Sequence, residues 1–575
     1  MENTMISIYI DYKLQRFQSQ IRYAFEYALS ALGYNYLFVE RLEQVSENDV
    51  LIMYGYTEPT SGELQAIARK YITIFIQSEP DLFDETAYTA AKLKSNLRKV
   101  NLLSPTLVIS ARSFDYPAVN YTEDGLKAGR ITFDLVANIF FRLAMREEAL
   151  NSAGNENYVL ADSQSVFRDN MESPAVDNLL WLLDSMIVEY VRSSGTYTSK
   201  KLKWPKGEKA AVCLTHSVDT LQKWSLSSLL LGIADDVALF FTFRWGRLWH
   251  EMKGKLKYLF TNYELYWNFE EYRSLEREAK VKSSWFFASE ACEDIDYSLD
   301  DADLLEEIQN LDKEKCEIGL LATADKLNRD DFLSRKQVLI HLLHKTNIGI
   351  RQLRYKTNAK ILELHSKLSP AYGQSHAPDE TPGFKYGFGL PWMPWVAKAQ
   401  SGFWEIPIVL RDRYLMVNYH KELPLDDAKR MVKKIFQQCI KSGSVMGIDM
   451  SVAAWTDISY MEKLYPYILE MIGTADTWIT SPGKIAEWWQ KRAAVTVDES
   501  LYEVSVSFAD DMESFTLQLI GDVRIKEILD GNQPELKYEK ATAKDNIISF
   551  GDVKAGDVVV MRIDREGQGN GKAFG

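Results

Sequence analysis

The sequence predicts an α/β protein in three parts: an α/β domain, a distorted (β/α) barrel and a small all-β domain. Three observations carry that expectation. The chain has 575 residues, room for about three or four domains of roughly 150 residues. From Ala210 to Val497, short apolar runs alternate with stretches of helical spacing, the rhythm of a (β/α) barrel or a close relative. After Glu499 the pattern changes to short runs in which apolar and polar residues alternate, as in antiparallel strands with one buried face.

The elements follow in order. Met5 to Ile10 reads as a strand, and Phe17 to Leu32 as a helix that stops at Gly33. YNYLFVE, VLIMYG and YITIFIQ read as strands of a partly parallel sheet. Ile131–Glu148 and Pro174–Arg192 read as helices, and the polar stretch Asn151–Gln164 as a linker or loop. These make up a first domain, residues 1–195. The basic, Pro/Gly-containing run Lys200–Lys209 marks a boundary. The barrel, residues 200–497, draws its strands from AAVCLTHSVD, VKSSWFFAS, CEIGLLATA, NIGIRQLRY, GFKYGFGLP, FWEIPIVL, VMGIDMSV and DTWITS. Helical spacing fills Ala302–Leu311, Asp331–His344, Leu425–Lys441 and Ile458–Ile472. Residues 499–575 read as a β-sandwich-like accessory domain with a turn at Asp530–Asn532 and a floppy end from Gly567. No internal repeat is visible.

Composition excludes several function classes. Hydrophobic residues are 46% and charged residues 26%, which excludes wholesale disorder. The 67 Lys and Arg against 81 Asp and Glu give a net charge of −14, with no basic block to offset it. Nucleic acid and anionic membrane surfaces are therefore poor partners. The start, MENTMISIYIDYKLQ, lacks a secretory pattern, and the most apolar stretch, Trp224 to Phe243, carries Asp235 and Asp236 in its middle and does not read as a membrane span. Cys213, Cys292, Cys316 and Cys439 form no CxxC pair, which fits a reducing compartment. A cytoplasmic protein is expected.

Chemistry in a (β/α) barrel sits at the C-terminal ends of the strands. The first barrel strand ends in His216, Ser217 and Asp219. Here the sequence resembles the polysaccharide deacetylase (NodB-homology) family, in the branch whose first motif is T-H-D-V-D and which carries an N-terminal α/β domain. The resemblance runs through Tyr266–Phe287, Asp296–Leu311, Cys316–Leu320, Gly349–Tyr355, Gly383–Trp395, Trp404–Asp412 and Trp478–Trp489, nearly all of the middle domain. It implies a hydrolase scaffold for C–N amide bonds. In that family a divalent metal is held by an Asp and two further ligands, a carboxylate is the base and a His is the acid.

The motifs are degenerate. Ser217 stands where the family has its base, while Asp219 keeps the metal-ligand Asp. Leu321 replaces a ligand His, and Asp325 is an acid at the ligand position four residues on. Arg351 keeps the motif arginine. Gly373 stands at an expected acidic position, and Met450 and Ser451 stand where Trp and the catalytic His would be. Loss of general acid–base help costs about 10²–10⁴ for each group, and a leucine ligates no metal. Two carboxylates without imidazole favour hard cations such as Mg²⁺ or Ca²⁺.

Two readings follow. In the first the protein is a non-catalytic family member without a cofactor, binding carbohydrate or serving as a structural or adaptor subunit beside other proteins. Arg351 with Trp392 and Trp395, whose rings could stack on sugars or simply fill space, would then contact substrate. In the second it is a divergent metal-dependent hydrolase of N-acetylated amino-sugar polymers, using Asp219, Asp325 and a His such as His216 or His376. Strand alternation places His216 on the opposite face from Ser217.

Overall fold

The structure, a computed structural model, describes residues 5–565 apart from 47–48, 57–58, 122–125, 153–154, 156–157, most of 223–265, 324–327 and 419–420. The chain folds into a mixed α/β protein. Its first sheet is built from β1 (Ile6–Ile10), β2 (Tyr36–Val39), β3 (Val50–Tyr54), β4 (Ile72–Ile76), β7 (Ala118–Tyr121) and β8 (Ala128–Ile131) in the order β2-β1-β3-β4-β8-β7. All pairs are parallel except β7 with β8. Every residue of β3 and β4 is buried, as strands covered on both faces require. A separate hairpin pairs β5 (Leu97–Asn101) with β6 (Pro105–Ile109). The helix Gln18–Leu32 ends at Gly33, which takes φ +89°. A side chain there would meet the Lys201 carbonyl oxygen at 2.1 Å. The helix expected over Ile131–Glu148 is interrupted instead: Ala128–Ile131 is strand, Leu135–Leu143 is helix, and a left-handed Met145 turns the chain into a second helix, Arg146–Asn151.

The middle of the chain forms a curled parallel sheet. Its strands are β10 (Ala210–Val218), β11 (Ser283–Phe287), β12 (Glu317–Ala322), β13 (Ile350–Gln352), β16 (Leu410–Arg411), β19 (Val445–Asp449) and β20 (Thr477–Ile479). The order is β13-β12-β11-β10-β19-β16, with β20 beside the first residues of β10. All nine residues of β10 are buried, which makes it the centre of the sheet. Two segments without regular strand structure link the sheet's far edges. Ile350 donates its N–H to Tyr372 (3.0 Å), Gly373 donates to Trp404 (2.8 Å), and Val409 donates to Gly447 (2.9 Å). Between them in sequence lies the ribbon β14 (Trp395–Val396) with β15 (Ala399–Gln400), and a second ribbon, β17 (Met416–Asn418) with β18 (Lys421–Glu422), follows β16.

Two of the expected strands are therefore mostly irregular. GFKYGFGLP contains positive-φ residues at Gly383, Tyr386 and Gly387 and forms only a short 3-10 turn. FWEIPIVL keeps a strand only at its end, because Pro407 has no N–H for a ladder. The helix expected from Ile458 begins at Met461.

The last part is antiparallel. β21 (Thr496–Glu499), β22 (Glu503–Ser507), β24 (Val523–Asp530), β25 (Gln533–Lys537) and β28 (Val558–Arg565) form one sheet in the order β21-β22-β28-β24-β25. β23 (Met512–Gly521), β26 (Ala541–Lys544) and β27 (Ile547–Val553) form a second, completed by β9 (Tyr197–Lys201), which pairs with β23 from Tyr197↔Gly521 to Lys201↔Leu517. The DGN turn joins β24 to β25. The floppy end expected from Gly567 lies outside the described residues. No helix among the described residues is long and apolar enough to cross a membrane.

Candidate functional site

Alternation along β10 decides what faces the inside of the curl. Cys213, Thr215 and Ser217 point inward, and Leu214 and His216 point to the helices outside. Across the strand pair, Thr215 stands opposite Asp449 at the end of β19. Into this inner face comes Arg351 from β13, with no solvent exposure at all. Its Nη1 donates to Asp449 Oδ1 (2.7 Å) and to Ser217 Oγ (3.0 Å). Its Nη2 donates to Thr215 Oγ1 (2.7 Å) and to the side-chain oxygen of Gln374. The guanidinium carbon lies 3.9 Å from the centre of the Phe286 ring, and Phe286 has its place because Gly319 lacks a side chain: a Cβ there would meet the ring at 2.7 Å.

Asp449 is the hub of this network. Besides Arg351 it accepts from Ser217 Oγ (2.9 Å) and from the Tyr355 hydroxyl (2.7 Å). Burial alone would push its carboxyl up, but the Arg351 charge, the Tyr355 hydroxyl and the Arg411 charge hold it below the ordinary carboxylate value. The opposite happens next door. Asp219 is pushed up to about 7 by burial first and then by the charges of Asp412 and Asp449. Asp412 is raised too, by burial and then by the Asp449 charge, and accepts from both the backbone N–H (3.0 Å) and the hydroxyl of Ser451.

The structure thus brings Ser217, Asp219, Arg351 and Ser451 to one end of the sheet, together with Asp449, Asp412 and Tyr355, none of which the motif comparison singled out. Asp449 carried a signal: it is an acid at the end of an apolar strand, next to the two residues aligned with the family's Trp and His. Leu321 is buried beside Arg351 in register. Gly373 touches Glu405, whose Oε2 a Cβ at 373 would meet at 1.9 Å. Asp325 lies outside the described residues.

Several expectations need correction. Arg351 does not present its charge to a ligand, because both terminal nitrogens are taken up by protein groups. Trp392 offers no sugar-stacking face, being fully buried against Phe388 (3.7 Å between ring centres) and His376 (5.1 Å). Trp395 packs against Tyr23 and Phe140 of the first part of the chain. His216 and His376 do not join Asp219 in a rearranged set. His216 lies on the outer face, Nδ1 at 2.8 Å from the Met450 carbonyl and Nε2 at 2.9 Å from Glu276, which also accepts from Tyr465 and Ser283. His376 is held by Glu405 (2.9 Å) and faces the sulfur of Met145.

No family model matches the chain, and no curated protein does. Among solved structures it is similar to a putative polysaccharide deacetylase from Mycobacterium smegmatis, at 17% identity over 50% of this chain and 93% of that one, with a TM-score of 0.34. It is also similar to Agd3, a carbohydrate deacetylase, at 10% identity over 98% and 99% of the two chains (TM-score 0.38). A third is PuuE allantoinase, at 13% identity over 50% and 92% (TM-score 0.33). At such scores these likenesses carry no argument about what this chain does.

Proposed function

We propose that this chain is a polysaccharide-deacetylase-like protein whose reaction centre has been replaced by a buried ion pair, and that it acts without hydrolysis, as a carbohydrate-binding or adaptor protein. The observation that carries the reading is the Arg351–Asp449 pair, which fills the inner face of the sheet where the motifs would place a base and a metal. Each departure from the family pattern has a local partner. Ser217 is a donor to Asp449 and not a base, Leu321 is a buried apolar side chain, and the Ser451 hydroxyl is committed to Asp412. These residues do not fit a catalytic metal. Among the described residues no three His, Cys, Asp or Glu side chains are grouped to hold one.

The three-domain division and the barrel belong to the same proposal. They draw support from the hydrogen bonds that link β13 to β16 and from the antiparallel sheets that follow Thr496.

The test is release of acetate from acetylated chito-oligosaccharides and from a chromogenic acetate ester, with Zn²⁺, Mg²⁺ or Ca²⁺ supplied. The rate should equal the background for each. Turnover that disappears with a chelator and with Asp219→Ala would make the protein a divergent deacetylase instead.

A further inference from the structure

The opposite end of the same sheet carries a long polar cleft. Its wider arm, about 960 Å³, runs past the first residues of β11, β12 and β20, where Ser283, Glu317 and Thr477 lie. Its narrower arm, about 440 Å³, continues between the helix Pro482–Ala494 and the strands β23 and β27. The two arms share Trp478, Thr480, Lys484 and Glu487 as a common wall. Both volumes lie in the roughly 300–1,000 Å³ range of small-molecule sites.

Three features point to a ligand. Trp478 is only partly buried and lines both arms, with its ring 6.3 Å from that of Trp204 and 5.9 Å from that of Trp488 between centres. In the narrow arm the Glu208 carboxyl has one oxygen, Oε2, that is buried without a hydrogen-bond partner. In the wide arm, lysines collect on a chain whose net charge is −14. Lys280 and Lys315 each close a helix in the left-handed conformation, at φ 57° and 61°, a role that glycine usually takes. Among the described residues neither has an ion-pair partner.

An aromatic face suits the apolar side of a sugar ring, an unpartnered carboxylate oxygen suits a hydroxyl donor, and unpaired ammonium groups suit carboxylates. We propose that this cleft binds an acidic oligosaccharide. One ring lies on Trp478, a hydroxyl donates to Glu208, and acidic substituents lie over Lys280 and Lys315. For the class of ligand, though not for its place, the inference rests on the carbohydrate-binding reading above.

Calorimetric titration of the full chain tests it, with hexagalacturonate, cellohexaose and tripolyphosphate as probes. Hexagalacturonate should bind, cellohexaose should bind more weakly, and tripolyphosphate should not compete. The double variant Lys280→Glu/Lys315→Glu should weaken hexagalacturonate about tenfold, while Lys433→Glu, an exposed charge change on the helix Leu425–Ser442, should not. Lys280, Lys315 and Lys433 are all exposed, so misfolding does not cloud the comparison; Trp478→Ala is the supplementary variant. Hexagalacturonate that gives no heat, tripolyphosphate that binds equally well, or a double variant that binds like the parent overturns the proposal. The acetate assay reads separately: missing binding without turnover removes this cleft and leaves the non-hydrolytic reading intact, whereas turnover removes that reading whatever the cleft binds.

Discussion

Ser217 and Asp449 show why one substitution in a motif is best understood with its neighbours. Their side chains are 2.9 Å apart, so a carboxylate at 217 would stand against the carboxylate at 449, and like charges at that distance cannot both ionise in a buried site. The acid that pairs with Arg351 sits on β19, and a hydroxyl on β10 completes its hydrogen bonds. A buried ion pair contributes little net stability, but removing one partner strands the other. Arg351→Met should therefore destabilise the protein by about 3–5 kcal/mol. The double variant Arg351→Met/Asp449→Leu should cost less than that single change. Thermal melting of the two variants checks this, and a double variant less stable than the single one would contradict it. Because the Asp449 carboxyl is held below its ordinary value, its contribution is present above the unfolded value near ~4 and is lost as pH falls through the folded one.

At the scale of elements, glycine and proline mark where the sheet stops being regular. Gly373 lies between Ile350 and Glu405 as an isolated bridge, and the buried Glu405 carboxyl occupies the space a side chain would need. Gly373→Ala should lower stability by about 1–3 kcal/mol through overpacking, read as a lower melting temperature; an unchanged melting point would show that Glu405 can move aside. The same residues explain what was legible beforehand. β10, β11, β12 and β19 are apolar runs of strand length, and buried parallel strands announce themselves that way. The stretches around Gly383–Gly389 and Phe403–Leu410 are equally apolar, yet their backbones are set by positive-φ residues and by Pro407, and composition alone does not separate them from strands. The ends of β10, β13 and β19 located the site. The partner of Arg351 was hidden because 98 residues of sequence separate it from Asp449, and no local pattern encodes such a pairing.

Across the whole molecule, burial shifts a set of ionisable groups toward neutrality. Asp134, Glu148 and Asp219 are pushed up to about 7 and Glu499 to about 8, while Lys201 is pushed down to about 7 and Lys203 to about 8, burial being the main cause in each. The raised carboxyls keep protons in the folded state that the unfolded chain has released, so their contribution to stability falls as pH rises from about 4 to about 8. The lowered lysines bind fewer protons when folded, so their contribution rises from about 7 to about 10. Together these six groups favour folding least near neutral pH. Glu499→Gln keeps the acceptor for Ser199, whose N–H (2.9 Å) and hydroxyl (2.6 Å) both reach Oε1, and removes the buried charge. Its melting temperature should exceed that of the parent by a margin that grows up to about pH 8 and is constant above it; a margin independent of pH would place the effect elsewhere. The pairing of β9 with β23 has a consequence in time. Lys201 finds Leu517 only after roughly 300 further residues have been made, which at ribosomal speed takes about 15–60 s. For that interval β9 and the Gly33 turn it crosses wait without their partner strand, an open edge that the growing chain must keep from pairing elsewhere.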